Sequence, residues 1–248
     1  MRILVAIDDT DNIDSRGTGE LASLLAKAIE QRGWGTTEPI TRHQLLVHPD
    51  IPYTSHNSSM CFTSELGDSY LDEFIDYAST FLVRECAPGS DPGLCIACQA
   101  NLDDPQALIA FGLQAKEEVL QKEDAYILAK TMGIHLSEHG GTGQGIIGAL
   151  AGVGLRLSGN DGRLKGKLKI RSQAEVLSVI EIKLQTGVKV VKTIDGKMLA
   201  DVELIRLGET LKAVYLENQA TLLVCSTGLE GENLAAWQTC SKNQLRGY

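Results

Sequence analysis

The first apolar positions form an uninterrupted run over residues 3–7. Such a run reads as a strand buried in a sheet that is covered on both faces. From 20 to 32 the pattern changes to Leu21, Leu24, Leu25, Ala28 and Ile29, one face of a helix, with Gly33 as its C′ residue. Strands are expected at 44–47 and 58–64, on either side of a proline-containing loop. Leu71, Phe74, Ile75, Ala78, Phe81 and Leu82 predict a helix over 70–86. Asp91-Pro92-Gly93 signals a turn into a buried strand over 94–99, expected to be parallel. Asp104-Pro105 opens a helix running to about residue 121, and 125–132 adds another. From Leu155 onward, short runs at 188–194, 198–207, 211–216 and 221–225 read as strands with few helices between them. Asn160-Asp161-Gly162 and Asp195-Gly196 supply hairpin signals. The pattern predicts a layered α/β domain over 1–158 and a smaller β-rich module over 159–248.

A chain of 248 residues with 43% hydrophobic and 22% charged content is a folded globular protein, not a disordered one. Aspartate at position 8 leaves no room for a secretory signal, and the richest apolar stretch, 146–157, is too short for a bilayer. A cytoplasmic protein without a membrane partner is expected. The net charge of −9 argues against a large basic surface for nucleic acid, and leaves self-association open. Of six cysteines only Cys95 and Cys98 are close in sequence, and no second pair completes a zinc site. They read as residues of a buried strand.

The chemistry concentrates where the first strand ends. Asp8, Asp9 and Asp11 repel one another, and the repulsion is relieved by a raised pKa, by water or by a cation. Oxygen donors alone suit a hard cation such as Mg²⁺. If the backbone stays extended, Asp9 and Asp11 point one way and Asp8 the other. Gly17-Thr18-Gly19 then leads into a helix N-terminus, a place where phosphate binds. The alternative is a solvated turn in which Thr18 only caps the helix. A second glycine-rich stretch holds Gly140, Gly141, Gly143 and Gly145, which can bring amides close to an anion. No Lys-Ser/Thr pair follows, so it is not a Walker A loop. Gly148 and Gly152 read as contacts between packed helices. His135-Leu-Ser-Glu138-His139 matches an inverted zinc-protease pattern, but Gly140-Gly141 would end the helix that pattern requires. Arg42, His43, His48, Tyr53, His56 and Asn57 mark either a substrate edge or an ordinary exposed loop. The basic stretch 163–171 reads first as an edge strand guarded by lysines, and second as a grip on phosphates.

Taken together, IDDTD at 7–11, the Gly17-Thr18 turn, Asp91-Pro92-Gly93 and the GxGxxGALAGVG stretch at 143–154 resemble the archaeal tRNA(Ile) agmatinylcytidine (agmatidine) synthetases, in the same order. The resemblance covers about the first 155 residues. It implies a kinase-like α/β domain that binds ATP and Mg²⁺, next to a ferredoxin-like module. It also implies activation of the C2 carbonyl of a tRNA cytidine by ATP, and displacement by agmatine. By position, Asp8, Asp9 and Asp11 would hold metal and phosphates. Thr18 would take the place of the family's phosphorylatable threonine, and Gly17, Gly19, Gly141, Gly143 and Gly145 would face the cofactor. The family's threonine pair is reduced here to Thr18, and its OB-like and zinc-ribbon regions have no counterpart. These departures rank a small-molecule or nucleoside-like substrate ahead of tRNA. A module that binds nucleotide without turnover, or a tRNA-modifying subunit that relies on a partner to hold RNA, are the alternatives.

Overall fold

The computed structural model describes residues 1–51, 56–209, 211–228 and 235–248, and the chain divides into two compact units, Met1–Ser158 and Gly159–Tyr248. In the first unit the order is β1 (Arg2–Asp8), α1 (Thr18–Gln31), β2 (Gly35–Thr37), β3 (Thr41–Gln44), β4 (Ser58–Leu66), α2 (Leu71–Glu85), β5 (Gly93–Cys98), α3 (Pro105–Gln114), α4 (Lys122–Thr131), β6 (His135–Glu138) and α5 (Gly145–Leu157). Strand β1 lies between β4 and β5, and β3 and β6 extend the sheet on either side. All these pairings are antiparallel. The parallel pairing expected for 94–99 is therefore wrong, because β1 and β5 run in opposite directions from Ile3↔Cys98 to Asp8↔Gly93.

The layered α/β architecture follows from strand periodicity. Alternate residues of β1 face opposite sides, so Ile3, Val5 and Ile7 pack with α1 and α2, whereas Leu4 and Ala6 pack with α3, α4 and α5. Helix α5 is buried on nearly all sides, as a sequence apolar but for Arg156 requires, and its Arg156 pairs with Glu38 at 2.8 Å. It lies on the sheet because Gly148 and Gly152 lack side chains: a Cβ there would stand 1.6 Å from Asp8 Oδ2 and 2.3 Å from Ser59 Oγ. These two glycines thus serve helix–sheet packing, not the helix–helix packing expected of them. Helices α3 and α5 meet instead through Gly112 and Gly154.

Boundaries depart from expectation where tertiary context overrides pattern. Helix α3 is capped by Asp104, whose carboxylate accepts from the amides of Gln106 and Ala107, and it stops at Gln114 instead of running to 121. The strand expected at 44–47 lies earlier, at Thr41–Gln44.

The second unit carries β7 (Arg163–Leu164), β8 (Val176–Ser178), α6 (Val179–Thr186), β9 (Val190–Thr193), β10 (Leu204–Arg206), β11 (Ala213–Leu216), β12 (Gln219–Ser226) and β13 (Trp237–Thr239). Strand β12 is central, antiparallel to β11 and β13 and parallel to β9. Only three residues of the strand expected at 198–207 form one. Helix α6 is an addition to the expected strands; Ser178 and Glu181 make its capping box and Gly187 closes it at φ 75°. The β11–β12 hairpin turns on Glu217 and Asn218, both at positive φ, and the hairpin signalled at 160–162 does not form because a helix, α5, precedes it. Asn160 instead accepts the Glu217 amide through its side chain.

The α3–α5 contact gives a stability prediction. A Cβ at Gly154 would lie 2.0 Å from the carbonyl oxygen of Leu108, a backbone atom. Gly154→Ala should destabilise the first unit by about 1–3 kcal/mol, read as a lower urea midpoint at unchanged m-value. An unchanged midpoint would show that the helices part freely.

Candidate functional site

Strand periodicity delivers the first site residue. After Leu4 and Ala6, Asp8 faces α5, and the missing side chain of Gly148 makes room for its carboxylate. Asp8 is buried at 8% exposure. Burial, with Asp9 beside it, pushes its pKa from the ordinary 3.8 up to about 8. Asp9 does not continue the strand. Its φ of 49° breaks the alternation on which the expected pairing of Asp9 and Asp11 depended. Burial, and the neighbouring charges of Asp91 and Asp11, raise Asp9 to about 6.

Asp11 is tied to the helix that follows. The Thr10 hydroxyl donates to that of Thr18 at 3.1 Å, and Thr18 donates to Asp11 Oδ1 at 3.1 Å. Thr18 is buried within the first turn of α1, and Gly17, not Thr18, is the cap residue. Its hydroxyl therefore belongs to the acidic tip. The first turn of α1 opens beside these carboxylates with its amides directed outward, as at any helix N-terminus.

These residues line one cavity of about 650 Å³. Asp8, Asp9, Asp11, Gly17, Thr18, Gly19 and Gly145 are brought together there. Gly141 and Gly143 do not line it. They sit at φ 58° and 76° in a loop folded around Asp91, whose carboxylate accepts the Thr142 amide at 2.6 Å and the Thr142 hydroxyl. The Asp91 carbonyl accepts the Gly145 amide at 3.0 Å, which sets the start of α5. A Cβ at Gly141 would meet Asp91 Oδ1 at 1.7 Å, so this glycine permits the wrap. Sequence reasoning missed Thr142 and Gln144, which line the cavity from the same loop. Their signal in the sequence is that they are polar residues set among the glycines.

Of the six polar positions singled out at 42–57, Arg42, His56 and Asn57 line the cavity, and Asp50 joins them from the same stretch. His43 does not: it is fully buried, with Nε2 2.7 Å from the Thr41 hydroxyl, because β3 turns it inward. His48 lies 3.7 Å from Asp50 outside the cavity lining, and Tyr53 falls outside the described residues. The inverted protease pattern lies on strand β6, not a helix. His135 and His139 both bond Ser137, and burial holds both imidazoles below their usual range. Cys95 is buried on β5, as expected of a strand cysteine, and the cysteines are free thiols.

The cavity is strongly acidic. Asp8, Asp9, Asp11, Asp50 and Glu118 contribute carboxyls, and Arg42 is the only Lys or Arg among its described lining residues. The oxygen donors of the tip fit a hard cation, and buried, mutually repelling carboxyls are the groups a cation would relieve. Among the described residues no three His, Cys, Asp or Glu side chains converge closely enough to hold an ion by themselves. A nucleotide-bound magnesium does not need that, since it keeps phosphate oxygens and waters as ligands. Among the described residues, no helix is long and apolar enough to cross a membrane.

The raised carboxyl pKa values predict a pH dependence. Between about pH 4 and 8 the folded chain binds more protons at Asp8 and Asp9 than the unfolded chain does, so stability falls as pH rises through that window. Asp8→Asn should flatten the fall, and thermal midpoints of the metal-free protein at successive pH values measure it. An equally steep fall in the variant would place the effect elsewhere.

No protein-family model matches the chain. It is 27% identical over 185 residues to the isoleucine tRNA 2-agmatinylcytidine synthetase TiaS of Pyrococcus horikoshii, covering 72% of this chain and 42% of that protein. To the TiaS of Archaeoglobus fulgidus it is 31% identical over 159 residues, 63% of this chain and 36% of that protein. A crystal structure of a complex of TiaS with its isoleucine tRNA and ATP superposes with a TM-score of 0.54 at 25% identity, over 72% of this chain and 42% of that one. The chain thus spans less than half the length of these relatives. The findings correct the ranking of a small substrate ahead of tRNA, because the relatives are named for an isoleucine tRNA and one is solved with it. In sequence and in fold, the chain is similar to the isoleucine tRNA 2-agmatinylcytidine synthetases over about 72% of its length.

Proposed function

We propose that this chain carries the ATP-handling site of an ATP-dependent tRNA-modifying enzyme, and that Asp8, Asp9 and Asp11 act there through Mg²⁺. The observation that carries this reading is the acidic cavity at the N-terminus of α1, with Thr18 bonded into it. Phosphates placed beside these carboxyls would be repelled by those that are ionised, and a cation between them relieves that repulsion. Bound there, magnesium would supply the charge neutralisation that phosphoryl or nucleotidyl transfer requires. The chain's own groups do the rest. Asp9 and Asp11 would hold the cation, with Asp8 behind them. Gly17 and Gly19 let the backbone at the start of α1 approach the phosphates, and Thr18 places its hydroxyl at the same point. Gly145 and the loop wrapped on Asp91, with Gly141 and Gly143 as its turns, form the opposite wall.

The likeness to isoleucine tRNA 2-agmatinylcytidine synthetases supports a tRNA nucleotide as acceptor and an amine as the incoming group. In that reading ATP converts a base carbonyl oxygen into a leaving group. Positioning and electrostatics supply the catalysis.

Titration of the protein with ATP in Mg²⁺ and in EDTA tests the site, and ATP consumption with tRNA transcript and agmatine tests the acceptor. Binding should require Mg²⁺. Asp9→Asn and Asp11→Asn should each weaken it by about tenfold or more, the cost of removing one charged partner. Metal-independent binding, or none, would remove the nucleotide site.

A further inference from the structure

The second unit begins with Arg163-Leu-Lys-Gly-Lys-Leu-Lys-Ile-Arg171, five cations and no acid in a chain of net charge −9. Lysines on an edge strand commonly guard it against pairing with another chain. That role is not available here, because β7 ends at Leu164 and residues 165–171 lie in no strand. The segment is nevertheless held in place. Leu168 and Ile170 pack on the core of this unit, and the Leu168 amide donates to the Leu211 carbonyl at 3.0 Å. At the far end Gln185 Oε1 accepts the Arg171 amide at 2.9 Å and the Ser172 amide at 3.3 Å.

The anchoring sorts the side chains. From 167 to 171 exposed and half-buried positions alternate, so Lys167, Lys169 and Arg171 face solvent while Leu168 and Ile170 face inward. Neighbours on the exposed face of such a segment stand about 6.6 Å apart. Among the described residues none of the three has an ion-pair partner. A row of unneutralised cations on an anchored backbone is complementary to a row of phosphates. An anionic membrane surface is the poorer match, because a membrane-binding segment turns its apolar side chains outward and this one turns them in.

We propose that Lys167, Lys169 and Arg171 form a strip that contacts the sugar-phosphate backbone of RNA. The proposal rests on the reading that the substrate is a tRNA, and names the surface through which this part of the chain holds it. Such contacts position the nucleic acid without reading its sequence.

The test is binding of a labelled tRNA transcript over a range of salt concentrations, with Mg-ATP binding measured in parallel. Lys167→Ala, Lys169→Ala and Arg171→Ala combined should weaken RNA binding by about tenfold or more at about 0.1 M salt, and should lower the log–log salt slope by about two to three. A charge-conserving variant, Lys167→Arg, Lys169→Arg and Arg171→Lys, should bind as the unmodified protein does. Mg-ATP binding should be the same in all three proteins. Unchanged affinity and slope in the alanine variant would overturn the strip, as would failure of the unmodified protein to bind RNA, or retention on phosphatidylserine vesicles instead of RNA. If Mg-ATP binding is absent but the salt slope falls as expected, the strip stands and the nucleotide site falls.

Discussion

The close approach of α5 to the central strand is the constraint on which the first unit depends. Helix and sheet can lie this near only because Gly148 and Gly152 present no side chain to β1 and β4. One packing solution then fixes two things. It seals the apolar core on that side of the sheet, and it leaves the carboxyl of Asp8 largely buried under the helix, at the wall of the cavity. A buried carboxyl with carboxyl neighbours is a poor stabilising element. It stands at the end of a strand buried from Ile3 onward and faces the acidic cavity.

The hydrophobic pattern made most of the first unit legible: α1 and α2 each bury one face and carry that spacing in their residues. The runs that became β1 and α5 show no such spacing, because both are covered on nearly all sides. What could not be read locally was set by partners distant in sequence. The direction of β5 depends on pairing with β1, and an apolar run carries no sign of direction. The inward turn of His43 is settled by β4 across from it. In the second unit the strands are short, and a turn such as Glu217-Asn218 lacks the glycine that normally marks it. Helix α6 carries a legible capping box, but its eight residues lie between strand-like runs that mask it.

The acidic tip shows the same division. That Asp8, Asp9 and Asp11 form a cluster needs only their adjacency. Their relation to one another needed the backbone: the left-handed φ of Asp9 takes it out of the strand and brings it near Asp91 as well as Asp11, and Asp11 is held by Thr18. The glycine-rich loop changed meaning in a comparable way. Two of its amides, at Thr142 and Gly145, are spent on Asp91. Its glycines allow the chain to wrap a carboxylate, and a phosphate would have to be met by the helix terminus and by the cation.

Acidity, which at first argued against nucleic acid, proves to be a property of places on the molecule. The carboxyls that dominate the cavity explain part of the net charge, and they suit a metal–nucleotide complex, whose charge near the protein is set by the cation. Phosphates without a metal have to be met by fixed cations instead, and the stretch from Lys167 to Arg171 displays them with no acid interposed. Net charge averages these two surfaces into a single negative number. Coulomb interactions in salt extend only about 8–10 Å, so a phosphate responds to the charges within that range and not to the average. An acidic chain can therefore hold RNA wherever a few cations are fixed side by side on a backbone that does not need them for anything else.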